Sequence, residues 1–310
     1  MWIEEYNELL FKTINSKEST IKAAKLKFEN MPKLVYKYRT ASDNHLEALR
    51  HNILYASAPS CLNDPYEGSL YIDVKKRWRL LYQTFLDMFY KETGLELAIR
   101  VDDFADQESF VIELAKCMGI YDHELKSWKD LWSIADEMAK IGLLRFQEEL
   151  KIESDKLHRI CSFSEVNDSP PMWSHYSADY SGFCIGYNIK ELDNDLTDLL
   201  FPVRYTDEMI EVDDTFFNGE KPNNSFYIDS LTRKSTQWSY EHEWRLLLIA
   251  QSQEMIQKID LPIPKLIILG KNISEENKEK ILEIANINNI PCFKHVLRKD
   301  SFAFELEELK

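Results

Sequence analysis

Long apolar runs are missing from this sequence. None approaches the roughly 20 residues that a membrane-spanning helix needs, so we expect no membrane partner. The opening Met-Trp-Ile-Glu-Glu also lacks the basic-then-apolar order of an export signal. We therefore expect a cytoplasmic protein.

Cysteine is scarce and unpaired. Five cysteines are scattered singly along 310 residues, with no CxxC pair, and their odd number argues against a secreted disulfide framework. The seven histidines do not fall at ligand spacing near the cysteines. These features indicate reduced intracellular thiols and predict no metal site and no tightly bound cofactor.

Net positive charge is lacking as well. The formal net charge of -15 disfavours broad, nonspecific attraction to the phosphates of nucleic acid or to anionic lipid. A polyanionic ligand would have to meet a local basic cleft. What the chain does contain is apolar material, because 44% of its residues are hydrophobic and only 29% are charged. A substantial globular core follows from that balance.

Helical and strand-like patterns follow each other along the chain. Apolar residues at helical spacing predict helices before Pro32, and period-two alternation predicts a strand at 33–39. The pattern predicts an α+β fold with a mixed, mainly antiparallel, split β-sheet core. We expect an N-terminal helical segment at 1–32 and a single domain at 33–310, with a large helical insertion at about 74–155.

The first polar stretch lies on the predicted strand. Tyr36 and Tyr38 should point to one face, and Lys37 and Arg39 to the other. We assign Tyr36, Tyr38 and Arg39 to substrate binding, because tyrosines can stack on a flat ring and a guanidinium can hold a phosphate or carboxylate. The alternative is that the aromatic residues are core and that the cations pair with nearby acids.

A polar turn follows the second predicted strand. Asn63 and Asp64 precede Pro65, and a residue before proline favours an extended or turn conformation. With Glu67 they are expected to leave a sheet edge together. We assign Asn63, Asp64 and Glu67 to substrate binding; the open alternative makes the two acids structural partners of the strand cations.

The second stretch couples a strand to a short helix. Ser162 and Ser164 share one strand face, and Trp173, His175 and Tyr176 are predicted to begin a helix beyond it. Hydroxyls, an indole and an imidazole would then meet within one turn. His175 is a candidate catalytic residue and the others are candidates for substrate binding. The alternative is a hydrogen-bonded structural histidine.

The third stretch is rich in charge. Glu241, Glu243 and Arg245 are predicted on one strand face, with the carboxylates roughly 6 to 7 Å apart. We assign both glutamates to catalysis, and Lys234, Trp238 and Arg245 to substrate binding. One carboxylate could orient a ribose hydroxyl while the other polarises a nucleophile, or both could bind a divalent metal. An exposed strand edge that solvates the pair is the alternative.

Five motifs in order carry a family resemblance. They are Val-Tyr-Lys-Tyr-Arg39, Leu-Asn-Asp-Pro-Tyr-Glu67, Cys-Ser-Phe-Ser-Glu165, Met-Trp-Ser-His-Tyr176 with Gly182, and Trp-Ser-Tyr-Glu-His-Glu-Trp-Arg245. In these motifs the chain, from about Tyr36 onwards, resembles the bacterial domain of unknown function 2971. That resemblance implies no settled reaction.

A second resemblance rests on residue order alone. Arg39, Ser162 with Ser164, and Glu241-His-Glu243 are similar in order to the Arg, Ser and Glu-x-Glu residues of ADP-ribosyltransferases. It implies that NAD is the substrate, with the arginine on its phosphates, a serine on the nicotinamide-side ribose and the last glutamate on a ribose hydroxyl. An oxocarbenium-like centre needs such a carboxylate. The implied function is an NAD-consuming transferase or glycohydrolase, as in toxins or phage defence.

Three alternatives stay open. The two glutamates with Asp64 and Lys234 could form a metal-dependent nuclease. The motifs could instead form the polar core of a noncatalytic sensor that binds a small molecule, a nucleotide or a protein partner. Cys161 with His175 could provide a thiol nucleophile, although no third orienting group accompanies them.

Overall fold

The computed structural model describes residues 2–12, 17–120, 122–191, 194–212, 216 and 222–309. The chain divides into two compact units. The first unit comprises Met1–Ser69, Glu153–Met209 and Gly219–Lys310, and the second comprises Leu70–Ile152 and Ile210–Asn218. None of the helices described is both long enough and apolar enough to cross a bilayer.

Helices occur in both units. The helices are α1 (Trp2–Asn7, extended by a π-helical turn at Glu8–Lys12), α2 (Lys17–Asn30), α3 (Asp43–Arg50), α4 (Val74–Thr93), α5 (Gln107–Cys117), α6 (Asp122–Leu157), α7 (Pro170–Tyr176), α8 (Asn194–Asp198), α9 (Asn224–Leu231) and α10 (Glu275–Ile287). The helices predicted before Pro32 correspond to α1 and α2.

Most strands belong to the first unit. The strands are β1 (Leu34–Arg39), β2 (Ile53–Ser57), β3 (Leu70–Tyr71), β4 (His158–Ser164), β5 (Phe183–Asn188), β6 (Leu200–Pro202), β7 (Arg204–Tyr205), β8 (Ile210–Glu211), β9 (Arg233–Lys234), β10 (Glu243–Ile249), β11 (Ile256–Asp260), β12 (Leu266–Leu269), β13 (Cys292–Leu297) and β14 (Phe304–Leu309).

The main sheet runs in the order β11-β2-β4-β1-β5-β12-β13-β14, with β10 paired to β4 and β6 paired to β10. Its described pairs are antiparallel except β12 with β13. The predicted α+β class is therefore confirmed, with a mixed, mainly antiparallel sheet and N-terminal helices.

Strand β4 shares one of its edges between two partners. On that edge β2 pairs with it at Ser57–Ile160, and β1 pairs with it at Tyr36–Ser164. Between these positions, residues 161–163 have no ladder partner on that edge in the described part of the sheet. The opposite edge of β4 pairs with β10 throughout. The sheet consequently splits between β1 and β2, and the candidate site lies at this split.

The two faces of the sheet differ in character. Tyr36, Ser164 and Glu243 are register partners on adjacent strands and share one face. Their chain neighbours point to the other face, where a large apolar core is buried. This core includes Val35, Leu46, Leu49, Phe163, Trp244, Ile281 and Ile284 from β1, α3, β4, β10 and α10. It fixes the strands that carry the polar residues.

The second unit contains α4, α5, β3, β8 and most of α6, and has its own aromatic core. Trp78, Tyr82 and Phe110 pack together, with Tyr82 and Phe110 ring centroids 4.9 Å apart. Asp73 and Asp106 cap the starts of α4 and α5 by accepting from the backbone amides three residues later. The second unit, Leu70–Ile152 with Ile210–Asn218, is thus mainly helical and has a separate core.

Candidate functional site

A cavity of about 780 Å³ opens where the sheet splits. Its wall brings together many of the residues selected from the three polar stretches. They are Tyr36, Tyr38, Arg39, Asn63, Ser162, Ser164, Tyr176, Lys234, Glu241, Glu243 and Arg245. A volume of this size is ordinary for a small-molecule site. Segments far apart in the sequence therefore contribute to one hollow in the first unit.

A buried charge cluster forms one wall. The Lys234 ammonium contacts Glu241 at 2.5 Å and Glu243 at 3.2 Å. The Arg245 guanidinium contacts Glu243 at 2.9 Å and holds both oxygens of Glu67, at 2.5 and 2.9 Å. All five side chains are at most 4% exposed. The carboxylates are thus compensated by two cations rather than by solvent.

The two catalytic candidates have opposite electrostatic environments. Burial by itself raises the pKa of Glu243, but Arg245 and Lys234 outweigh it and lower that pKa to about 2. Burial raises the pKa of Glu241, and Lys234 only partly offsets this. Burial also raises the pKa of Glu67 despite Arg245. Glu243 is therefore ionised at neutral pH, whereas Glu241 holds a proton more readily than Glu243 does.

A left-handed residue sets the geometry between the two glutamates. Glu241 ends the 3₁₀ turn Thr236–Glu241, and β10 begins only at Glu243. The prediction that Glu241 lies on the same strand as Glu243 is therefore wrong. His242 between them adopts φ 45° and ψ 53°. A non-glycine residue there costs about 1 to 2 kcal/mol. The local turn points both carboxylates at Lys234.

Tyrosine hydroxyls surround the carboxylates. The Tyr176 hydroxyl donates to Glu241 Oε1 at 2.5 Å and accepts from the Asn63 amide at 2.8 Å. Burial raises the pKa of Tyr176, and the Glu241 charge raises it further. The Tyr205 hydroxyl accepts from the Glu243 backbone amide at 2.8 Å. Tyr205 was missed in the sequence because it belongs to no motif.

The cations of β1 form another part of the wall. Lys37 donates from its amine to the Ser162 carbonyl at 2.5 Å, and no carboxylate among the described residues pairs with Lys37 or Arg39. His45 lines the cavity nearby, with Nδ1 3.0 Å from the Thr40 hydroxyl. Burial, then Arg39 and Lys37, lowers the pKa of His45. This part of the cavity has positive charge without an acidic partner.

The two selected serines have different surroundings. The Ser164 hydroxyl donates to the Glu241 carbonyl at 2.6 Å and accepts from the Val166 amide at 3.2 Å, and the residue is fully buried. The Ser162 side chain hydrogen-bonds Glu243, which contributes to the low pKa of that carboxyl. Ser164 therefore fixes the turn, whereas Ser162 belongs to the charge cluster.

Several selected residues lie behind or beside the cavity wall. Trp173 is fully buried, donates to the Asn167 carbonyl at 2.7 Å and packs edge-on against Tyr38. His175 is exposed, with its ring 6.4 Å from that of Tyr240. Trp173 supports the tyrosines of β1 rather than reaching the cavity itself.

The other three are Glu67 in the charge cluster, Trp238 beside it, and Asp64 in the turn that precedes Glu67. Glu67 is the bidentate partner of Arg245, and the centre of the Trp238 ring lies 4.8 Å from the Lys234 ammonium nitrogen. Asp64 accepts from the Tyr66 amide within its own turn at 2.9 Å. Within the described ranges, no three His, Cys, Asp or Glu side chains are grouped to hold a metal ion.

The comparison with protein families supports the first resemblance. A family model described as "Protein of unknown function (DUF2971)" matches residues 172–246. That range begins in α7 and ends in β10, so it contains Tyr176 and four members of the charge cluster, Lys234, Glu241, Glu243 and Arg245, but not Glu67. Over this range the resemblance to domain of unknown function 2971 is confirmed. Searches of curated proteins and of solved structures gave no match.

Proposed function

We propose that the cavity binds NAD and that the chain cleaves the bond between nicotinamide and ribose, as an ADP-ribosyltransferase or a glycohydrolase. The observation that carries the proposal is one cavity that contains both Arg39, whose guanidinium has no acidic partner among the described residues, and a compensated carboxylate pair, Glu241 and Glu243. NAD has the complementary groups: a diphosphate and a glycosidic bond whose cleavage develops positive charge. An NAD-depleting activity would suit a toxin or phage-defence effector.

The cationic part of the cavity supports binding of the diphosphate. A guanidinium without a protein acid is free to form charge-assisted hydrogen bonds with phosphate oxygens. Arg39 ends β1 at the split in the sheet. The chain as a whole is strongly acidic, so this local charge is what would attract an anionic ligand.

Aromatic walls support binding of the flat rings. Tyr36 and Tyr176 line the cavity on one side, and Tyr55 on β2 lines it with 42% of its surface exposed. Tyrosine rings stack on planar heterocycles and keep a polar hydroxyl for orientation. Adenine or nicotinamide could occupy such positions.

The carboxylate wall supports the chemical step. When the C1′–N bond breaks, nicotinamide leaves as a neutral base with the bonding electrons, and positive charge develops on the ribose. The ionised Glu243 is pre-oriented by Arg245 and Lys234, so it stabilises that charge without reorganisation. Water or an acceptor nucleophile then attacks C1′ and loses a proton to solvent.

The test is nicotinamide release from NAD, followed by chromatography, with water alone and with a panel of protein and nucleic-acid acceptors. We expect activity in the wild type and a loss of about 100-fold or more in Glu241→Gln and Glu243→Gln. Arg39 lies outside the charge cluster, so Arg39→Gln should raise the KM for NAD. Lys25→Gln, at an exposed position of α2, is the charge-matched control. An inactive wild type, or a fully active Glu243→Gln, rejects the proposal.

A noncatalytic sensor is a second candidate, favoured by one observation. Both oxygens of Glu243 and both oxygens of Glu67 already accept from protein cations. Because all four oxygens are bonded to cations, the cluster could have a purely structural role and hold the cavity open for a ligand. In that case NAD would raise the melting temperature without nicotinamide release, and Arg39→Gln would abolish the increase. Release by the wild type rules this candidate out.

A further inference from the structure

We propose that Lys37 is a nucleophilic amine that forms an imine with an anionic aldehyde or ketone bound in the cavity. This goes beyond cleavage of NAD and does not depend on it. Lys37 belongs to the first of the five motifs, Val-Tyr-Lys-Tyr-Arg39, but its sequence pattern indicates only a cationic strand face and no chemical role.

The position of Lys37 is set by the split in the sheet. It lies in the middle of β1, where its Cα is registered with Ile185 of β5. On the other side of β1, the edge of β4 at 161–163 lacks a strand partner in the described sheet, and the Lys37 amine donates to the Ser162 carbonyl there. The amine therefore lies in the gap and lines the cavity.

The bonding of Lys37 differs from that of the second lysine in the cavity. Lys234 contacts two carboxylates and is 4% exposed, so its ammonium form is stabilised. Lys37 has no carboxylate within ion-pair distance among the described residues. Its amine donates to the Ser162 carbonyl, hydrogen-bonds the Cys161 side chain and lies 5.7 Å from the centre of the Phe163 ring. A ligand can displace or share such contacts far more readily than an ion-pair network.

The surroundings of Lys37 favour the neutral amine. Burial lowers its pKa to about 8, and the neighbouring Arg39 acts in the same direction, while Cys161 and Glu243 act against it. Other titratable groups also face this pair. His45 has a lowered pKa and adds no positive charge when neutral, Tyr187 lies beside Arg39, and Glu47 lines the cavity and contacts His51 at 2.8 Å. Desolvation beside a second cation is a known way to activate lysine for imine formation.

Arg39 defines the class of carbonyl compound. A carboxylate or phosphate on the ligand would pair with its guanidinium and hold the carbonyl carbon near the neighbouring amine. The neutral amine adds to the carbonyl carbon, the nitrogen gives up both of its protons, and the carbonyl oxygen takes up two protons and leaves as water, which gives a C=N bond. No oxidant or reductant is needed for this condensation.

The experiment traps the imine on the full chain. Glyoxylate, an anionic aldehyde, is added with cyanoborohydride, and lysine modification is quantified by peptide mass spectrometry. We expect Lys37 to be labelled at least tenfold faster than the exposed Lys25, with a rate that rises as the pH increases through about 8. Lys234 should stay unlabelled, because its amine is ion-paired.

Matched variants and probes separate recognition from simple reactivity. Arg39→Gln should slow labelling of Lys37 by glyoxylate much more than labelling by acetaldehyde, because acetaldehyde has no charge for Arg39 to hold and loses only the effect of Arg39 on the pKa of the amine. Lys37→Arg keeps the positive charge and should remove the adduct while leaving the circular dichroism spectrum unchanged. Labelling of Lys37 no faster than Lys25, or equal loss with both aldehydes in Arg39→Gln, overturns the proposal. Neither outcome depends on whether NAD is cleaved.

Discussion

Glu241 and Glu243 show how strongly two similar side chains can differ two positions apart. Both are buried, and burial raises the pKa of each in isolation. Glu243 accepts hydrogen bonds from both Arg245 and Lys234. Glu241 accepts from the same lysine and from the Tyr176 hydroxyl, and has no arginine partner among the described residues. The second cationic partner of Glu243 therefore explains why its pKa is lowered while the pKa of Glu241 is raised.

The pH dependence of stability should report the low pKa of Glu243. A carboxyl whose folded-state pKa lies below its ordinary value stabilises the fold above pH 4.5, and that contribution is lost as the pH falls towards about 2. The difference corresponds to about 3 kcal/mol. Glu67 and Glu241, whose pKa values are raised, act in the opposite sense above pH 4.5. Urea unfolding between pH 7 and pH 2 should therefore show the steepest loss below 4.5.

Substitution of Glu243 tests the same balance at neutral pH. Glu243→Gln leaves Arg245 and Lys234 short of a buried partner, so we expect the free energy of unfolding to fall by about 3 to 5 kcal/mol. The steep loss below pH 4.5 should also become shallower in this variant. Glu29→Gln removes an exposed partner of Lys25 and should change stability by less than about 1 kcal/mol. A Glu243→Gln variant as stable as the wild type would contradict the account.

At the scale of elements, Gly182, which directly precedes β5, packs tightly against the end of β1. A Cβ atom on Gly182 would lie 2.1 Å from the Arg39 carbonyl oxygen and 3.0 Å from the Ser177 carbonyl oxygen. The backbones of β1, the end of α7 and β5 therefore approach so closely that no side chain fits. Because Arg39 is the final residue of β1, this close approach also positions the guanidinium of the site.

We expect Gly182→Ala to destabilise the fold by about 1 to 3 kcal/mol, because two backbone segments must move apart. It should also weaken any ligand that depends on Arg39. Gly142→Ala is the matched control, since Gly142 lies in α6 with no atom within 4 Å of an added Cβ. Alanine is favoured in a helix by up to about 1 kcal/mol, so that variant should be more stable. Urea midpoints of both variants, measured together, decide the matter.

At the scale of the whole molecule, global and local charge have opposite signs. The net charge of -15 repels polyanions at long range, yet Lys37 and Arg39 are cations without acidic partners among the residues described. Such an arrangement selects ligands small enough to enter a cavity of about 780 Å³. It disfavours binding along an extended phosphate backbone.

We predict that the chain does not bind nucleic acid nonspecifically. Fluorescence anisotropy with labelled duplex and single-stranded DNA at about 50 mM salt should show no binding at micromolar protein, although low salt favours such binding. Incubation of DNA or RNA with Mg²⁺ or Mn²⁺ should leave it intact. A fluorescent nucleotide that enters the cavity serves as the positive control. Salt-dependent DNA binding or metal-dependent cleavage would revive the nuclease alternative.

The sequence by itself determined the fold class and the motifs. Apolar spacing is a local property, so it located α1, α2, β1 and β4. The motif order indicated domain of unknown function 2971, which the family match at 172–246 supports. The tertiary structure decided the rest. Contacts between segments that are distant in the chain leave part of the β4 edge open. The same kind of contact determines which acids pair with Arg245 and how deeply each charged group is buried. For that reason the availability of Lys37, the structural role of Ser164 and the burial of Trp173 could not be read from periodicity.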